Sequence, residues 1–138
     1  MSYHQLIYSS LPVVDVTESL LLEILDSAQP KNSDVGITGL LAFHNGRFIQ
    51  LLEGSEEAVN RLYQVIRSDP RHTDLKLELN IKTAQRSVPS WNMGFTSSRN
   101  FDVTITGRNY YFPWSFVKGM CEMMRGEVDK KFLQLLNA

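Results

Sequence analysis

Apolar and polar side chains alternate along His4–Ser9, so Leu6 and Tyr8 fall on one side of an extended strand and Gln5, Ile7 and Ser9 on the other. The period then changes. Leu20, Leu21, Ile24, Leu25 and Ala28 recur at helical spacing behind Asp15-Val16-Thr17-Glu18, which has the form of a capping box. Pro30 lacks the amide that a helix interior needs and is expected to stop this helix. Thr38–Phe43 and Arg47–Glu53 read as strands joined at His44-Asn45-Gly46, because Asn-Gly accepts the positive φ of a tight hairpin turn. Val59, Leu62, Tyr63 and Ile66 form a second helical stripe, ended by Asp69-Pro70. Leu75, Leu77, Leu79 and Ile81 alternate with Lys76, Glu78, Asn80 and Lys82, a strand with one polar face. A fifth, short strand is expected around Trp91–Thr96.

This order predicts an α+β fold, a ferredoxin-like five-stranded mixed sheet with two helices on one face. Ile7, Ile49 and Leu51 point to the other face and need cover of their own. Two C-terminal helices can supply it, one carrying Phe116, Val117, Met120 and Met124, the other Val128, Phe132, Leu133 and Leu136, with Gly126 between them. Residues 1–97 are therefore expected to form the domain proper. Residues 98–138 form a helical extension packed on its sheet, not a separate domain, reached through an irregular linker at Asn100–Asn109.

The length of 138 residues suits one domain, and the 43% hydrophobic and 21% charged content is ordinary for a globular protein. A net charge of -1 and a pI near 6.3 give no electrostatic reason to expect nucleic acid or an anionic membrane as partner. Cys121 is the single cysteine, so no internal disulfide forms, and a reducing, cytoplasmic setting is expected. Neither a basic n-region with an apolar run at Met1–Ser10 nor a spanning segment is present. His4, His44 and His72 have no carboxylate or thiol at metal-ligand spacing, and Cys121 reads as a buried, inert thiol. Dinucleotide, Walker A and nucleophile-elbow motifs are absent.

Two polar residues stand out on the face that should be buried. Tyr8 and Gln50 lie on the helix side of the first and third strands, the central neighbours of a ferredoxin-like sheet. A buried amide left unpaired costs about 1–3 kcal/mol. Either phenol and amide satisfy each other, or a polar ligand joins them. Asn32, after the first helix, sits at the mouth of the same face.

Five blocks give these residues a context. Leu6-Ile7-Tyr8-Ser9-Ser10, Gly36-Ile37-Thr38-Gly39-Leu40-Leu41, Gly46 to Gly54, Ser68 to His72, and Trp91-Asn92-Met93-Gly94-Phe95 together resemble BLUF domains, over roughly Tyr3 to Phe95. The resemblance implies a blue-light photoreceptor with non-covalently bound flavin, FAD or FMN, and no enzymatic turnover. It assigns Tyr8 as electron donor to the excited flavin and Gln50 as the bridge between tyrosine and ring. Asn32 becomes the partner of the ring's pyrimidine edge, Ile24, Phe48 and Ile66 the apolar walls, and Trp91 and Met93 the signalling pair beside the glutamine, with Met93 also a flavin contact. Light is expected to rearrange Gln50, shift absorption to the red and pass a signal through the last strand and C-terminal helices to an unidentified downstream protein, in a homo-oligomer. Two positions depart from the family. Lys31 stands where a second polar residue is common, and Val65 where an arginine contacts the flavin tail; Lys31, Arg67 or Arg71 could take over that contact. The competing readings are a light-independent ferredoxin-like ligand-binding or dimerisation module and, with less support, a flavin enzyme.

Overall fold

The alternation around Tyr8 extends into a ten-residue strand, β1 (Tyr3–Pro12), in the computed structural model, which describes residues 2–89, 91–99 and 111–138 and the backbone of 104–105 and 108–109. Helix α1 spans Glu18–Asp34. Its cap is Thr17, whose Oγ1 accepts the Leu20 N–H at 3.1 Å; the cap lies two residues beyond Asp15 and, with leucine at the third helical position, the expected capping box does not form. The helix also runs through Pro30 instead of ending there, and Asn32 belongs to its last turn rather than following it. That turn is held from outside. Gln29 Nε2 donates to the Met93 carbonyl at 3.2 Å, Asn32 Nδ2 to the Asn92 carbonyl at 2.7 Å, and the Ile37 N–H to the Asn32 carbonyl at 2.8 Å. These bonds offset the one that proline cannot make.

Strands β2 (Thr38–His44) and β3 (Arg47–Gly54) meet at Asn45 and Gly46, whose φ values of 51° and 74° are those of a tight two-residue turn. Ser55 caps α2 (Glu56–Arg67) by accepting the Ala58 N–H at 3.1 Å. Strand β4 spans His72–Thr83; its register against β1 shifts between Ile7 and Tyr8, so Leu75 packs on the helix-side core and Leu79 on the reverse one, and the single apolar face expected of Leu75, Leu77, Leu79 and Ile81 is split. Strand β5 covers only Gly94–Ser97. The expected start at Trp91 fails because the Trp91 carbonyl is taken by the Gly39 N–H at 2.8 Å and the Asn92 and Met93 carbonyls by α1, outside the ladder. The five strands lie in the order β4-β1-β3-β2-β5, all antiparallel except β2 with β5. Most of the linker expected at Asn100–Asn109 lies outside the described residues. Within it β6 (Thr104–Ile105) pairs antiparallel with β7 (Arg108–Asn109), so that part is not irregular.

Each sheet face carries a core. Leu6, Tyr8, Phe48, Leu52 and Phe95 pack with Leu21 and Leu25 of α1 and Val59 of α2. On the reverse, Ile7, Leu40, Ile49 and Leu51 pack with α3 (Trp114–Met124) through Val117 and Cys121, and with α4 (Glu127–Leu136) through Val128, Phe132 and Leu136. Burial, with the charges of Asp129 and Glu122 adding, pushes the Cys121 thiol up to about 12. Glu53, fully buried at the end of β3, accepts from Gln5 Nε2, the Ser87 and Val88 amides and Thr38 Oγ1, and so ties the β4–β5 connection to the sheet. No helix among the described residues is long and apolar enough to cross a membrane.

Candidate functional site

Register decides the site. Tyr8 of β1 lies directly opposite Gln50 of β3, and Gln50 opposite Leu41 of β2, so one row of side chains crosses the three central strands beneath the helices. The Tyr8 hydroxyl donates to Gln50 Oε1. Burial holds the phenol well above its ordinary range, with the nearby Asp69 charge adding to the shift, so Tyr8 stays protonated and a donor. Gln50 Nε2 donates to Met93 Sδ at 3.3 Å. Thioether sulfur is a weak acceptor, and the second N–H has no partner among the described residues. Position 39, beside Met93, is glycine because a Cβ there would collide with the Leu51 carbonyl oxygen; it would also stand 3.2 Å from the Met93 methyl.

The row forms the floor of a cleft of about 210 Å³ between α1 and α2. Ile24 and Ala28 line one wall, Leu62 and Ile66 the other, and Leu41 and Phe48 the base. Asn32, buried in the last turn of α1, spends its side-chain nitrogen on the Asn92 carbonyl, while its side-chain Oδ1 has no partner among the described residues. Lys31 and Val65 stand at the mouth. Apolar walls a helix apart, with an amide N–H and an amide carbonyl unspent at the polar end, fit a flat heteroaromatic ring with polar edges. Isoalloxazine is such a ring.

Of the residues singled out in the sequence, Tyr8, Ile24, Lys31, Asn32, Phe48, Gln50, Ile66 and Arg71 all line this cleft. Met93 does not; it stands behind Gln50, almost fully buried. Trp91 is on the opposite sheet face, stacked on Phe112 with ring centroids 3.7 Å apart. Arg71 is engaged by Asp69, with Nη2 2.7 Å and Nε 3.1 Å from the carboxylate. Sequence reasoning passed over His72, Asp69 and Gln29. His72 meets Tyr8 edge-on at 6.2 Å; its Nε2 donates to the Ile66 carbonyl at 2.6 Å, and Nδ1 lies 2.8 Å from Ser10 Oγ. Its partners lie on β1 and α2, two elements apart from its own, which no local pattern reveals. Glu53 was legible in principle, as a carboxylate at an inward position of an apolar strand.

A family model described as sensors of blue-light using FAD matches residues 3–94. The chain belongs to the BLUF family. BLUF domains bind flavin, which agrees with the ring-shaped cleft. The blue light- and temperature-regulated antirepressor BluF of Escherichia coli (strain K12) is 33% identical over 114 residues, 83% of this chain and 27% of that protein. Among solved structures, the dark state of the BLUF protein BlrB has a TM-score of 0.67 at 27% identity and covers 70% of this chain and 73% of its own. Klebsiella pneumoniae BlrP1, solved with FMN and cyclic diGMP, has a TM-score of 0.66 at 36% identity over 72% of this chain and 27% of its own. The chain spans between 9% and 27% of the length of curated relatives such as a photoactivated adenylate cyclase subunit of Euglena longa and the antirepressor. The BLUF match covers β1 through the first residue of β5, which includes every cleft residue named above.

Proposed function

We propose that this BLUF domain senses blue light through a Tyr8–Gln50 relay and that α3 and α4 carry the response to a partner protein. The observation that carries the reading is the Tyr8–Gln50 hydrogen bond at the floor of an apolar cleft, with one Gln50 N–H and Asn32 Oδ1 unspent. Ile24 and Ile66 are positioned to cover the two ring faces, and Gln50 and Asn32 to hold its polar edge.

A bound flavin supplies an absorber of blue light whose excited state is a strong one-electron oxidant. Tyr8 is the donor within the cleft. With flavin bound and excited, Tyr8 would give up an electron and, along its hydrogen bond to Gln50 Oε1, its phenolic proton, which the amide would pass on toward the ring and not keep; return of both to Tyr8 leaves no product. What persists is a changed Gln50. An amide suits the task because rotation exchanges its donor and acceptor ends. In the structure Oε1 faces Tyr8 and Nε2 faces Met93. Rotation would turn the oxygen toward sulfur, which offers it no proton, and release Met93.

Met93 gives that change a route outward. Its carbonyl is held by Gln29 and that of Asn92 by Asn32, while Trp91 crosses to the other face and stacks on Phe112, with Phe116 of α3 6.4 Å away. Phe116 and Met123 of α3 are largely exposed and offer a contact surface to a downstream protein or a second copy. In this reading 98–138 is an extension of the sensor rather than a domain of its own.

Tyr8→Phe is expected to bind flavin and lose the reversible red shift under blue light, read by absorption before and after illumination. A shift equal to that of the unsubstituted chain would sink the relay; a chain that takes up no flavin would favour a light-independent binding module.

A further inference from the structure

The flavin-sized cleft continues outward. Lys31, Asn32, Leu62 and Val65 are shared with a second, outer cleft of about 510 Å³ between the last turn of α1 and the first half of α2. Its walls are largely apolar, Val35 and Ile37 on one side and Ala58 on the other. Two cations stand on it. Lys31 makes no ion pair or hydrogen bond with the described residues. Arg61 is four residues before Val65, one turn further out on the same face of α2. It spends one nitrogen on Glu57 at 2.7 Å, and both side chains are mostly exposed, 74% and 80%. Such an exposed i,i+4 pair is weak, and a guanidinium has five N–H donors, so Arg61 can take a second anion without abandoning the first. Glu57 is the one carboxylate among the described residues that line this cleft.

A ligand that fills both clefts is thus apolar and flat at its inner end and anionic at its outer end. We infer that the outer cleft is an anion subsite in which Arg61, with Lys31 across from it, holds the phosphate next to the ribityl chain, the one that FMN and FAD share. The inference rests on the reading that the inner cleft takes the flavin ring, and it adds a residue and a specificity: phosphorylated flavins over riboflavin.

The test is binding, not light response. The full chain, freed of flavin, is titrated with riboflavin, FMN and FAD, and the dissociation constant is read from quenching of flavin fluorescence. Arg61→Ala is expected to weaken FMN and FAD by the same factor, about 5-fold or more for one charge-assisted contact, while riboflavin changes by less than about 2-fold. Glu57→Gln is expected to tighten FMN and leave riboflavin unchanged. Raising the salt concentration should weaken FMN binding more than that of riboflavin. Loss of riboflavin binding equal to that of FMN makes Arg61 merely structural and overturns the subsite. So does an Arg61→Ala chain that binds all three as before. A chain that binds none of the three overturns the flavin reading and this inference with it, a result distinct from the other two.

Discussion

Tyr8 owes its poise to neighbours of two kinds. Gln50 takes its proton in a hydrogen bond, and the burial that comes with α1 and α2 keeps the phenol from ionising, helped by the charge of Asp69. Asp69 is itself held below the ordinary carboxylate range, first by its hydrogen bonds from the Arg71 side chain, against a smaller opposing effect of partial burial. A carboxyl whose folded pKa is depressed contributes stability that is present above its unfolded value near 4 and is lost as pH falls through the folded value. Asp69→Asn is therefore expected to lower the melting temperature at neutral pH and to do so progressively less as pH falls below about 4, measured by thermal unfolding from neutral to acid pH. An equal deficit at both ends would mean that charge plays no part. At this scale the sequence was informative about Tyr8 and Gln50, because alternation alone puts both on the helix face. It was silent about Asp69 and His72, whose roles depend on Arg71, Ser10 and Ile66 meeting across elements. The resemblance supplied what alternation could not, namely that two buried polar groups face a ring.

Helix α1 shows where local rules are overridden. Pro30 is a sound reason to end a helix, yet the turn beyond it stands because Gln29 and Asn32 are bonded to the chain around Asn92 and Met93. Those bonds are made to residues some sixty positions away, so no window of sequence contains them. The same contacts explain why β5 starts at Gly94 and not at Trp91. The helix keeps its proline at a cost, since that residue gives no amide to the turn before it. Pro30→Ala is expected to stabilise the fold by about 1–2 kcal/mol, less than the full interior penalty for proline because the unfolded chain also gains freedom. Urea unfolding measures it; a fall in stability would show that the proline ring is needed where it stands. The elements away from this junction, the Asn45-Gly46 hairpin and α2, were legible because their signals are local; β4 was legible as a strand but not as one apolar face, because its register against β1 shifts between Ile7 and Tyr8.

In the whole molecule one sheet separates two cores, and the flavin cleft belongs to only one of them. Phe132 of α4 fills the other, against a sheet whose reverse side carries Tyr8 and Gln50. Phe132→Ala is expected to cost about 3–5 kcal/mol, read from denaturant unfolding, while flavin affinity in the folded fraction stays unchanged. A cost under 1 kcal/mol would mean that the C-terminal helices rest on the sheet without stabilising it. That two-core plan was legible, since Ile7, Ile49 and Leu51 demanded cover and α3 and α4 had apolar stripes to give. The strand order has a further consequence, and it concerns time. The earliest strand of the chain lies inside the sheet: Ser10 lies opposite Phe48 and Pro12 opposite His72. Within this sheet only the β2–β3 hairpin can zip from a short turn. To seat β1, the chain must close loops of roughly forty and sixty residues before any pairing rewards it, a topology that slows folding relative to a helical bundle of the same size. Tyr8 and Gln50 come together only when that closure is complete. Pigment can then be captured only by a finished sheet, and an unfinished chain would be blind.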